Sequence, residues 1–211
     1  MLEEITEDLW VIEGECVNFH GFAYPTRSVI VRLGDGGIWV WSPIQLTPAR
    51  AEAVDALGPV RHLVSPNKIH HLFLGEWNAR FPDAKLWGPD STRKKRTDLR
   101  FEPAPTAVPP DDWAADLEQF HVTGSIVMDE ILFLHRRSGT LIVADFSENF
   151  AEDFLRANWR PWQRRLARPW GIVEGKGFAP LDWRATFLKR SGLRQLKKDL
   201  LQRRVDRIIM A

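Results

Sequence analysis

The sequence predicts an α/β fold in which β-sheets carry helices on their outer faces. Three observations lead there: two β-rich runs occur along the chain, each is followed by helical patterns, and no residue pattern repeats between them. At 211 residues and 44% hydrophobic content the chain can bury one substantial core, and no linker-like stretch divides it. A single domain over residues 1–211 is therefore expected.

The elements follow in order. Leu9 to Glu13 opens as a strand, and Arg27 to Leu33 alternates polar with apolar residues as a half-buried strand does. Gly34-Asp35-Gly36-Gly37 supplies a hairpin turn into the return strand Ile38 to Trp41, which ends at Ser42-Pro43. Thr47-Pro48 reads as an N-cap with proline at the first helical position, and Gly58-Pro59 stops that helix. Val60 to Val64 completes a β-α-β step. Leu72 to Phe81 reads as a helix and Ala84 to Trp87 as a short strand.

Beyond the basic run Arg93 to Arg96, taken as solvated surface, the proline-rich residues 102–112 form an irregular excursion within the domain. Strands follow at Phe120 to Val122, Ile131 to His135 and Thr140 to Ala144, the last two joined by a turn at Ser138-Gly139, and Asp145 stands at the final strand's end. From Ser147 to Trp170 tryptophans and arginines interleave at helical spacing, which fits a helix burying its tryptophans under arginine stems better than a base-stacking surface. Helices near Trp183 to Arg190 and Leu193 to Arg204 precede a closing strand, Val205 to Met210.

The net charge of +1 conceals a tail of +7 from Arg184 onward and a body of −6. The interleaved apolar residues make that tail a basic helix face, which argues against nucleic acid as a partner. The acidic amino terminus and the lack of a long apolar run predict a cytoplasmic protein with no membrane association. The single cysteine, Cys16, can form neither an internal disulfide nor a cysteine metal cluster and is read as structural.

The residues that carry chemistry gather in Ser65 to Glu76, where two adjacent histidines, a lysine and a glutamate follow a strand end. Adjacent side chains on a regular helix diverge, so histidines acting together need a loop, which Pro66-Asn67 favours.

With Gly124-Ser125 and Asp145 at two further strand ends, this arrangement resembles the metallo-β-lactamase-like superfamily, in an uncharacterised bacterial branch with an altered motif. The resemblance covers almost the whole chain. It implies a four-layer αβ/βα sandwich whose members mostly hydrolyse esters, amides, thioesters or phosphodiesters with one or two metal ions. The motif H-x-H-x-D-H falls on Pro66-Asn67-Lys68-Ile69-His70-His71, and Gly-His falls on Gly124-Ser125.

One metal position thereby loses all three specific ligands, to Pro66, Lys68 and Ser125. The other retains His70, His71 and Asp145; its further histidine would follow the closing strand, where the sequence reaches Ala211. Two histidines and a carboxylate suit zinc with an open water position and, next, non-haem iron. No nucleotide cofactor is implied. On this reading Lys68 stabilises an oxyanion or binds an anionic group, and Glu76 orients a metal-bound histidine.

His20 and His121 are weaker candidates, while His62 and His135 read as structural. Two functions stay open: a hydrolase acting on a small molecule through a single ion, or a non-catalytic ligand- or partner-binding protein that keeps the fold and has lost metal.

Overall fold

The computed structural model describes residues 1–105 and 107–211, leaving Thr106 of the proline-rich excursion outside the described residues. The first sheet has six strands in sequence order: β1 (Leu2–Thr6), β2 (Leu9–Phe19), β3 (Phe22–Arg32), β4 (Ile38–Trp41), β5 (Val60–Val64) and β6 (Lys85–Trp87). Pairing is antiparallel from β1 to β4 and parallel from β4 to β6. The parallel steps need crossovers, supplied by α1 (Pro48–Asp55) and α2 (Leu74–Arg80). The Thr47 hydroxyl accepts from the Arg50 amide and Pro48 opens the helix, as the sequence predicts.

After α3 (Asp90–Lys95), the second sheet is built from β7 (Leu117–Val122), β8 (Glu130–His135), β9 (Thr140–Val143) and β10 (Arg207–Met210), in the order β10-β9-β8-β7. Its last pairing, β9 with β10, is parallel, and the chain between them forms α4 (Glu152–Asn158), α5 (Pro161–Trp170), α6 (Leu181–Ala185) and α7 (Ser191–Leu201).

Strand periodicity sorts the residues into layers. Val29, Val31, Trp39, Trp41 and Val64 face the second sheet, where Leu117, Ile131, Phe133 and Ile142 meet them. The alternate residues Ile30, Ile38, Val40 and Leu63 pack outward against Val54 of α1 and Leu74 and Trp77 of α2. On the far side Leu132, Leu134, Leu141 and Val143 pack under Trp183 and Leu196 of α6 and α7. The layers are thus αβ/βα, and β4 reads as a continuous apolar run because both of its faces are covered.

Two differences from expectation have physical causes. The acidic amino-terminal stretch is a strand, paired to β2 along its backbone with Ile5 against the core. The β2–β3 hairpin is also longer than its apolar pattern, running to a tip at His20-Gly21 and carrying Cys16 exposed. Tertiary contacts hold that extension: Trp159 donates to the Ala23 carbonyl, Gln163 donates to the Gly21 carbonyl, and Phe22 and Tyr24 pack on the helices that follow β9. The tryptophan and arginine segment therefore folds over the hairpin. Trp159 is buried there, whereas Trp162 stays exposed.

The excursion leads into a packing residue, Trp113. Trp113 is fully buried between the sheets, edge-on to Trp87 and His62. His62, also buried, accepts a hydrogen bond at Nδ1 from Trp87 Nε1, 3.1 Å away. Burial holds its imidazole neutral, with its pKa lowered from the usual 6.5 to about 4. The folded state therefore binds fewer protons than the unfolded chain between those values, so this contribution to stability falls as pH falls. Urea denaturation should show the parent protein losing about 2 kcal/mol more between pH 7 and 4.5 than His62→Gln, in which an acceptor for Trp87 is kept without a titrating ring. Equal losses would contradict the assignment.

Candidate functional site

The carboxyl ends of β4, β5 and β9 converge where the two sheets meet, and each delivers a polar residue. Ser42 follows β4, the Ser65 to His71 loop follows β5, and Asp145 stands just past β9. The loop keeps its shape through its own side chains. Ser65 Oγ bonds the carbonyls of Asn67 and His70 at 2.8 Å each, and Asn67 Oδ1 accepts from the amides of Ile69 and His70 at 2.8 and 3.4 Å. This is the local side-chain turn that asparagine favours. The Ile131 amide, on β8, donates to the Pro66 carbonyl and ties the loop to the second sheet.

Asn67 is fully buried, and its Nδ2 bridges two carboxylates: Asp145 Oδ2 at 2.6 Å and Glu130 Oε2 at 3.1 Å. Glu130, fully buried at the start of β8, also accepts from the amides of Ala144 and Phe146. Burial, with Asp145 as an adjacent negative charge, pushes the Glu130 carboxyl up from 4.5. For Asp145 burial acts in the same direction, but the hydrogen bond and charge of His70 and the bond from Asn67 outweigh it, and the carboxyl lies below its usual range.

His70 lies between Ser42 and Asp145. Its Nδ1 is 2.8 Å from Ser42 Oγ, its Nε2 is 3.3 Å from Asp145 Oδ2, and its ring stacks beside Trp41. His71 is placed otherwise: its carbonyl accepts from Arg96, and its Nδ1 is buried without a hydrogen-bond partner. Burial, then the charges of Lys95 and Arg96, lower its pKa to about 4.

Lys68 Nζ donates to the Val127 carbonyl at 2.6 Å, and Glu76 accepts from the Leu46 amide at 2.9 Å, which anchors the approach to α1. Ser125 bonds Thr186 and the amides of Val127 and Met128. The preceding Gly124 has φ 103°, and a Cβ there would lie 2.1 Å from the Lys189 carbonyl oxygen. His121 pairs with Asp129, and His20 lies at the hairpin tip.

The structure thus brings His70 and Asp145 together and places Lys68 and His71 on the same cleft, while Glu76 faces α1. Among the described residues no three His, Cys, Asp or Glu side chains are grouped to hold a metal ion. His70 has both ring nitrogens engaged, and Asp145 Oδ2 already has Asn67 Nδ2 at 2.6 Å and His70 Nε2 at 3.3 Å. With His71 turned towards Lys95 and Arg96, these residues do not bring three protein ligands to one point. Sequence reasoning missed Ser42, Asn67 and Glu130. Ser42 carried the same signal as Asp145, a polar residue at a strand end, whereas nothing marked Glu130 as buried.

The cleft holds about 840 Å³. Aromatic and aliphatic side chains of the hairpin and of the helices after β9 wall it, over a polar floor of Ser42, His70 and Asp145.

The sequence profile of the family described as "Domain of unknown function (DUF4336)" matches residues 6–155. The chain belongs to the DUF4336 family. No curated protein matches it. Among solved structures, the flavodiiron protein from Giardia intestinalis is similar over 100% of this DUF4336 chain at 12% identity and TM-score 0.65. The chain spans about half of that protein, 54% of its length.

A metallo-β-lactamase from Pontibacter korlensis gives TM-score 0.57 at 12% identity over 89% of this chain and 96% of that one. The metallo-β-lactamase FIM-1 from Pseudomonas aeruginosa, in its mono-zinc form, gives 0.54 at 13% identity over 95% and 96%. This DUF4336 protein has the metallo-β-lactamase fold, as its motifs suggested.

The Asn67 bridge leads to a stability prediction. Asn67→Ala removes the donor shared by Glu130 and Asp145 and should cost about 2–4 kcal/mol in urea denaturation near neutral pH. A loss below about 1 kcal/mol would place the two carboxylates in a different relation.

Proposed function

We propose that this DUF4336 protein uses the metallo-β-lactamase-fold cleft to bind a small organic molecule without a resident metal ion. The observation that carries this reading is the chain of polar contacts Ser42-His70-Asp145 on the cleft floor, continued beneath it by the buried Asn67 and Glu130. His70 and Asp145, which would turn to a cation, already have protein partners, and exchanging those contacts for metal ligation would leave Asn67 and Ser42 to find others. The aromatic walls and few convergent polar groups are what small-molecule sites present.

The competing reading is a hydrolase with one zinc or iron ion on His70, His71 and Asp145, assisted by Lys68 and Glu76. One observation favours it, the unpartnered Nδ1 of His71.

Elemental analysis of protein purified without added metal separates the two, because an ion held by three protein ligands survives purification. Expected is less than about a tenth of an equivalent of any transition metal, unchanged in His71→Ala. Close to one equivalent, lost in His71→Ala and in Asp145→Asn, would overturn the proposal.

A further inference from the structure

We propose that Ser42 is the nucleophile of an acyl-transfer site in this cleft, with His70 as its general base and Asp145 positioning His70. This rests on the reading of the cleft as a ligand site without a resident metal, and adds covalent chemistry to it.

The geometry is that of an activated serine. Ser42 Oγ lies 2.8 Å from His70 Nδ1, and the opposite ring nitrogen lies 3.3 Å from Asp145 Oδ2. A nucleophile in hydrogen-bond reach of a base, with the base oriented by a third group, is the arrangement such catalysis requires, whatever the fold or chain order. The protons fall correctly. Asp145 is an acceptor, so His70 carries its hydrogen on Nε2, Nδ1 is left as the acceptor, and the Ser42 hydroxyl donates to it. Stacking against Trp41 and the backbone bond from the His70 amide to Asn67 hold the ring and its loop in place.

A second observation sets Ser42 apart. It has φ 50°, one of three non-glycine residues with positive φ among the described residues, and it lines the cleft at the end of β4. The two others, Asp8 and His20, sit in hairpin turns. Strain of this kind persists where surrounding structure enforces it, and functional sites are where it collects.

The reaction balances without a further reactant except water. Ser42 Oγ attacks the acyl carbonyl carbon as its proton passes to His70 Nδ1. The carbonyl–heteroatom bond of the substrate then breaks, and the leaving alcohol or thiol takes that proton. Water attacks the acyl-serine, giving its proton to His70, and the acid departs as the proton returns to Ser42 Oγ. The walls indicate the substrate class. Phe22, Tyr24, Ile44, Ile69, Phe150 and Trp183 line the cleft, so the geometry points to esters or thioesters of apolar acyl groups.

The test uses the full chain in chelator-treated buffer, with an alkyl fluorophosphonate as the covalent probe and p-nitrophenyl butyrate as the ester. Intact-mass and peptide mapping should find a single adduct, on the Ser42 peptide. Ester turnover should fall at least about a hundredfold in Ser42→Gly and in His70→Gln. Glycine is the chosen replacement because it accepts the positive φ and keeps the fold. Asp145→Asn should lower kcat while leaving KM within about twofold, a split that general loss of structure would not give. Ser138→Ala, in the turn between β8 and β9, should react as the parent does.

Absence of a Ser42 adduct, or undiminished turnover in Ser42→Gly, overturns the proposal. If butyrate binding to the cleft persists in either of those cases, the ligand-site reading survives. Turnover abolished by chelation in a protein carrying near-stoichiometric metal overturns both.

Discussion

Two carboxylates, one fully buried and one largely so, that must coexist where the sheets meet are the constraint on which the site depends. Glu130 has no exposure, Asp145 is only 13% exposed at its side chain, and one asparagine amide holds both. Burying one carboxylate is costly, and burying two side by side is tolerable only if one keeps a proton or both are hydrogen-bonded. Here the burden is divided. Glu130 takes the raised pKa along with two backbone amides, and Asp145 takes His70. That division fixes the orientation of His70, and through His70 the orientation of Ser42.

The constraint reaches into the fold. Asn67 can bridge the pair because its loop is pinned on one side by Ser65 and on the other by the Ile131 amide of the second sheet. The sheets must therefore pack face to face before the site exists, and the shared core of tryptophans, phenylalanine and β-branched residues accomplishes that. Within the loop Asn67 is the central donor, and His70 is the partner of Asp145.

Elements covered on both faces were legible in the sequence. Ile38–Trp41 emerges with its expected ends because an unbroken apolar run bounded by turn residues allows few other readings, and Val60–Val64 does so between the Gly58-Pro59 stop and Pro66. The upper part of the β2–β3 hairpin was not legible, because contacts from helices more than a hundred residues away hold it rather than its own pattern. In the site, His70 and Asp145 could be paired through a family motif. The burial of Glu130 and the strained backbone of Ser42 could not, since neither leaves a periodic trace. His71 shows that adjacency in sequence is not convergence in space: neighbouring residues on a tight loop point apart, one to Asp145 and the other towards Lys95 and Arg96.

The state of the His70 ring is the most direct test of this hydrogen-bonded floor. Long-range proton–nitrogen NMR on uniformly labelled protein near neutral pH reports the tautomer of each histidine, before and after an equimolar addition of zinc. Expected for His70 is a protonated Nε2 and a bare Nδ1, with both signals unmoved by zinc. Loss of the Nε2 proton on zinc addition, with a matching shift at His71, would show that the ring serves a metal and not the Ser42 to Asp145 relay.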